Sequence, residues 1–193
     1  MTDVGKMYDE RVEEFQKQFG TNVMKPDMDK FVALLNGNRV LDVGCGSGNQ
    51  TKYLVENNLD TTGIDLSDKM LEEARKRVPE AKFLKMNLLD MEFDDNSFDG
   101  IWMCACLLFV KPVDIGRTFE QFRRVLKQDG ILFIATKEGQ GQYTKNNVVH
   151  YSYTKEEVEN YLKDNDFEII ESKIEKDYWG RETKWVEIIA KKL

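Results

Sequence analysis

A chain of 193 residues, 41% hydrophobic and 33% charged, has globular composition and enough length to bury a substantial core. Its formal net charge of −7 argues against a phosphate-binding surface as the main business and disfavours nucleic acid as a partner, without excluding a local basic patch. No window reaches the roughly 18 apolar residues of a membrane span, and the acidic opening MTDVGKMYDERVEEF is neither a secretory signal nor a typical transit peptide. Three cysteines, an odd number, suggest free thiols in a reducing compartment. The expectation is a cytoplasmic protein with no membrane partner, monomer or homodimer, forming a single domain over residues 1–193.

Residues 1–37 are expected to form a helical segment carrying Tyr8 and Arg11. RVLDV (39–43) is the first buried strand, and a helix follows over 49–56. TTGID (61–65) is the second strand; Ser67 caps the next helix, which aligns Met70, Leu71, Ala74 and Val78 on one face. AKFLKM (81–86) is a third strand, and FDGIWMCACLLF (98–109) contains a fourth that is apolar enough to be covered on both faces. A helix over 114–127 groups Phe119, Phe122, Val125 and Leu126, and GILFIAT (130–136) is the fifth strand. The stretch 138–153, with EGQGQ and KNN, reads as irregular; Thr154 and Glu157 then form a capping box for a helix to about Lys163. FEIIESKIE (167–175) and TKWVEIIAKK (183–192) alternate as a hairpin turning around Tyr178 to Arg181. Alternating strands and helices predict a doubly wound, mainly parallel α/β sheet with one antiparallel strand, binding ligands beyond the strand C-termini.

The chemistry concentrates in VLDVGCGSG. Gly44, Gly46 and Gly48 alternate behind Asp42, joining the first strand to the first helix of the sheet, where helix amides face a ligand. That geometry suits a dinucleotide or a nucleoside with an amino-acid tail; a ligand-free interaction module is the third reading. Asp65, about 20 residues on, is placed to accept hydrogen bonds from both ribose hydroxyls. The spacing is G-x-G-x-G after an acid, not the G-x-G-x-x-G of dinucleotide sites, which disfavours a nicotinamide oxidoreductase.

Together with GIDLS, MNLLDMEFDDNSFDGIW and RVLKQDGILFI, in this order between Asn38 and Thr136, VLDVGCGSG resembles the motif series of class I S-adenosylmethionine-dependent methyltransferases. The resemblance implies a Rossmann-like, three-layer sheet of seven strands with the last antiparallel. It also implies S-adenosyl-L-methionine as cofactor, S-adenosyl-L-homocysteine as product, and in-line methyl transfer to a small-molecule acceptor. Asp42 and the turn Gly44, Cys45, Gly46 and Gly48 would hold the methionine moiety, whose ammonium and sulfonium are both cationic. Asp65 would bind the ribose, Leu66 would lie against adenine, Asn87 and the Leu88 amide would read its edge, and Cys104 would meet the methionine end. Tyr8 would fold over the cofactor, making 1–37 a lid and 138–153 an insertion near the active site. A nucleoside-binding protein without transferase activity, and a methyltransferase acting on protein or RNA, stay open as alternatives; net acidity favours small or cationic acceptors over RNA.

His150, the single histidine, is the candidate base. Tyr143, Tyr151 and Glu138 share its segment. Tyr151 and Lys155 have the Y-x-x-x-K spacing of short-chain dehydrogenases, but Thr154 between them caps a helix. Cys104 and Cys106 lack the further ligands of a zinc site and read as buried thiols, so no metal is expected. Trp102, Trp179 and Trp185 are assigned to the core or the pocket wall.

Overall fold

The computed structural model describes residues 2–14, 24–177 and 180–193. In chain order it contains helix α1 (Thr2–Glu10), α2 (Lys25–Leu34), strand β1 (Arg39–Val43), α3 (Asn49–Glu56), β2 (Asp60–Asp65), α4 (Asp68–Arg77), β3 (Lys82–Lys85) and β4 (Phe98–Cys104). Helix α5 (Ile115–Val125), β5 (Leu126–Lys137), β6 (Gln142–Lys145), β7 (Val148–Tyr151), α6 (Lys155–Asp164), β8 (Phe167–Lys176) and β9 (Lys184–Lys192) complete it. Seven strands form one sheet in the order β3-β2-β1-β4-β5-β9-β8. β9, the last strand, runs antiparallel to both neighbours, and the pairings among β1 to β5 are parallel. Trp179 and Tyr178 lie outside the described residues.

Strand alternation divides the core into two layers. Val40, Trp102, Ile131 and Phe133 pack with Met28 and Phe31 of α2 and Leu54 of α3. Their chain neighbours Leu41, Ile101, Leu132 and Ile134 pack with Phe119 and Phe122 of α5 and Val158 and Leu162 of α6. Trp102 is fully buried and stacks on Phe133 at 3.8 Å, so it belongs to the core. Both faces of the central strands are therefore covered, which explains their nearly unbroken apolar runs.

Helix caps behave as their sequence requires. Ser67 Oγ accepts the Met70 amide at 3.1 Å, and Thr154 Oγ1 accepts that of Glu157 while Glu157 returns a carboxylate to the Thr154 amide at 2.7 Å. Thr154→Ala removes one acceptor and should cost about 1 kcal/mol, lowering Tm by roughly 2–4 °C in calorimetry.

The stretch 138–153 is not irregular. β6 and β7 pair antiparallel as a separate hairpin, with Tyr143 opposite His150. Asn146 (φ 53°) and Asn147 (φ 59°) make its two-residue turn with both residues left-handed, a conformation asparagine tolerates better than most side chains. The KNN signal marked a hairpin turn inside short strands.

Candidate active site

β1 and β4 are neighbours on opposite sides of the point where the chain reverses its winding direction, and a crevice opens there beyond their C-terminal ends. The amides of Gly44 and Cys45 both donate to the Ile64 carbonyl, at 2.8 and 3.1 Å, which fastens the turn to β2. Gly44, Gly46 and Gly48 are all left-handed, with φ of 72°, 51° and 79°. Each then has its own reason to lack a side chain. A Cβ on Gly44 would lie 2.8 Å from Cys106 Sγ, and one on Gly48 would press on Ala74 of α4 at 3.2 Å. A Cβ on Gly46 would meet nothing within 4 Å, because that residue faces the cavity.

This difference separates packing from binding. Gly44→Ala should destabilise the protein by about 2–3 kcal/mol in urea melts, from a left-handed backbone and a clash together. Gly46→Ala should cost about 1 kcal/mol of stability, and its methyl group should weaken any ligand seated on the turn.

Asp65 closes the other side of the turn. Its Oδ2 accepts the Gly46 amide at 2.9 Å and its Oδ1 accepts the Ser67 amide at 2.9 Å. Burial raises its pKa against the amides of Ser67, Gly46 and Leu66, which pull it down. Each oxygen retains acceptor capacity beyond its one backbone bond.

A cavity of about 410 Å³ extends from this turn. Of the residues singled out in the sequence, Tyr8, Gly44, Cys45, Gly46, Asp65, Leu66, Leu88, Cys104 and His150 line it. Asp42, Gly48 and Asn87 do not. Asp42 lies beneath the turn, 1% exposed, accepting from Thr51 Oγ1 at 2.6 Å. Burial above all, then the Asp65 carboxylate, pushes its pKa up to about 7, against the Thr51 bond. Asn87 Oδ1 is committed to the Leu89 amide at 3.1 Å, a local turn that competes with any outward role.

Helix α1 lies directly over Leu66. A Cβ on Gly5 would fall 2.6 Å from the Leu66 carbonyl, so only glycine permits the approach. Asp9 Oδ1 accepts from Ser67 Oγ at 2.6 Å and from the Lys69 amide at 3.0 Å, tying α1 to the start of α4. Tyr8 packs edge-on against Phe109 at 5.9 Å, and burial drives its phenol pKa upward.

His150 is not a loop histidine: it is 7% exposed on β7, its Nδ1 3.0 Å from the Val148 carbonyl. Burial lowers its pKa, so the ring is neutral near pH 7. With the proton on Nδ1 facing that carbonyl, Nε2 is the basic nitrogen. The thiols are held protonated by burial, which pushes Cys104 up to about 12 and raises Cys45 and Cys106 as well. Among the described residues, no group of three or more His, Cys, Asp or Glu is placed to hold a metal ion.

Lys137, Lys145, Arg181 and Trp185 also line the cavity, and sequence reasoning assigned them no site role beyond a wall position for Trp185. The available signal was period two: Tyr143 and Lys145 share one face of a strand once 142–145 is read as one.

Sheet order, the glycine turn at the switch point and a carboxylate at the end of β2 define the nucleoside-binding α/β architecture of the methyltransferase type. Residues 41–134 match the family described as a methyltransferase domain. Demethylmenaquinone methyltransferase of Tropheryma whipplei is 36% identical over 107 residues, which is 54% of this chain and 44% of that protein. The match spans less than half the length of this and other curated relatives. The crystal structure of a SAM-dependent methyltransferase from Methanosarcina mazei superposes with a TM-score of 0.79 at 24% identity, covering 87% of this chain and 97% of that one. The 1,6-didemethyltoxoflavin-N1-methyltransferase of Burkholderia thailandensis, solved with bound 1,6-didemethyltoxoflavin and S-adenosylhomocysteine, gives a TM-score of 0.82 at 20% identity, covering 99% of this chain and 86% of that one. Residues 41–134 thus match a methyltransferase-domain family, and the fold of the chain is that of S-adenosylmethionine-dependent methyltransferases of solved structure.

Proposed function

We propose that the protein transfers a methyl group from S-adenosylmethionine to a small-molecule acceptor. The observation that carries this reading is the shared opening of the Gly46 backbone and the Asp65 carboxylate onto one cavity. The residues fit the cofactor. Asp65 keeps lone pairs for a ribose diol, Leu66 and Leu88 offer apolar walls for a purine, and Cys104 adds a neutral, polarizable surface. Asp42, beneath the turn, is a carboxylate whose ionised form a nearby cation would favour. Asn87 would act by shaping the backbone that presents Leu88.

When bound, S-adenosylmethionine supplies a methyl group already activated on a sulfonium. The chain's part is then orientation and exclusion of water. Tyr8 and α1 serve as a lid over the donor end, and the hairpin 142–151 forms the wall of the acceptor end. His150, neutral and basic at Nε2, receives the proton where the acceptor is a hydroxyl or N–H.

The alternative of a nucleoside-binding protein without transfer predicts a blocked acceptor space. The continuation of the cavity past the donor residues to Phe109, Tyr143 and Trp185 favours transfer. A small-molecule acceptor is in keeping with the relative named for demethylmenaquinone. Calorimetric titration with S-adenosylhomocysteine tests the donor half, and absence of binding would sink it. Incubation with methyl-labelled cofactor and a metabolite panel tests transfer itself, with no labelled product as the contrary result.

A further inference from the structure

The end of the cavity away from the glycine turn carries a chemistry that donor binding does not require. Tyr143 and His150 stack there with ring centroids 4.9 Å apart and planes 15° from parallel, and Phe109 packs on His150 at 4.9 Å. Lys137 Nζ lies over the Tyr143 ring, 4.2 Å from its centroid. Lys145, two residues along β6 from Tyr143, lines the same cavity.

The charges on this wall are unequally matched. Arg181 is paired with Asp177 at 2.6 Å, and Glu187 with Lys173 at 3.2 Å. Lys137 and Lys145 form no ion pair with a carboxylate among the described residues. Both act on His150, lowering its pKa in addition to the larger effect of burial. In a chain of net charge −7, two unneutralised ammonium groups thus converge on one aromatic wall. Whatever the sign of the whole chain, these two ammonium groups favour an anion beside them.

We infer that this wall receives the methyl acceptor as an aromatic acid, a planar aryl ring bearing a carboxylate. The ring lies among Phe109, Tyr143 and Trp185, and Lys137 and Lys145 hold the carboxylate. Aromatic surface supplies apolar contact with defined ring geometry, and paired ammonium groups supply charge-assisted hydrogen bonds. The inference rests on the methyl-transfer reading of the same cavity, and it names the acceptor class.

The test uses the full chain saturated with S-adenosylhomocysteine, titrated calorimetrically with 4-hydroxybenzoate, 1-hydroxy-2-naphthoate and quinoline-2-carboxylate, each beside its methyl ester. At least one acid should bind tenfold or more tightly than its ester. That preference should shrink as KCl is raised and vanish in the Lys137→Met, Lys145→Met double variant, whose affinity for S-adenosylhomocysteine should stay within about twofold of the parent. Tyr143→Leu should weaken acid and ester alike, whereas Tyr143→Phe should not. Equal affinity for acid and ester, a preference that survives the lysine changes, or no acid binding to the S-adenosylhomocysteine-loaded protein would overturn the assignment while leaving the donor reading in place. Failure to bind S-adenosylhomocysteine at all would overturn the donor reading and this inference with it.

Discussion

Asp65→Ala is expected to weaken S-adenosylhomocysteine binding about 100-fold while the protein stays folded. Two hydrogen bonds from ribose hydroxyls to a carboxylate, at about 1.5 kcal/mol or more each, give that factor. The carboxylate already serves the Gly46 and Ser67 amides, so its removal also leaves those donors short of a partner. That loss is offset in part, because burial already disfavours the ionised side chain. Asp65→Asn separates the two effects by keeping an acceptor for one amide while losing the charge. A 2′-deoxyribose analogue of S-adenosylhomocysteine should bind the parent more weakly, and should lose far less against Asp65→Ala. Unchanged affinity in the alanine variant would show that Asp65 is only a turn residue.

The parts of this molecule legible in sequence are those where local chemistry and global fold demand the same thing. Gly44, Gly46 and Gly48 are glycine for backbone reasons, and all three are left-handed. The alternation of Val40 with Leu41, Ile101 with Trp102 and Leu132 with Phe133 assigns both faces of the sheet without any knowledge of the helices that cover them. What escaped is set by contacts distant in sequence. Gly5 is required by the Leu66 carbonyl, and nothing around Gly5 in the chain says so. Asn146 and Asn147 resemble ordinary loop residues, because the flanking strands have four residues each and too little length to impose a pattern. An irregular reading of that stretch says nothing of burial, whereas the hairpin buries His150 against Tyr143 and Phe109. Asp42 and Asn87 show the reverse limit. Their motif positions are plain, but burial and a local turn keep both off the cavity wall.

Asp42 carries the largest predicted effect on stability, and its sign is opposite to the usual one for an aspartate. Burial raises its folded pKa from 3.8 to about 7, so the native chain keeps a proton that the unfolded chain gives up between those values. Stability must then fall as pH rises through that window and level off above about 7, by on the order of 4 kcal/mol in total. Asp42→Asn cannot titrate, and its side-chain oxygen can still accept from Thr51. In urea melts the stability of the parent relative to this variant should therefore decline from about pH 4 to about pH 8, with the other carboxylates common to both chains. A ligand that brings positive charge near the turn favours the ionised form, so S-adenosylmethionine should bind with proton release in this range and flatten the decline. A difference between the two chains that does not change with pH would mean that Asp42 titrates normally, and that its role is confined to holding Thr51 and the first turn of α3.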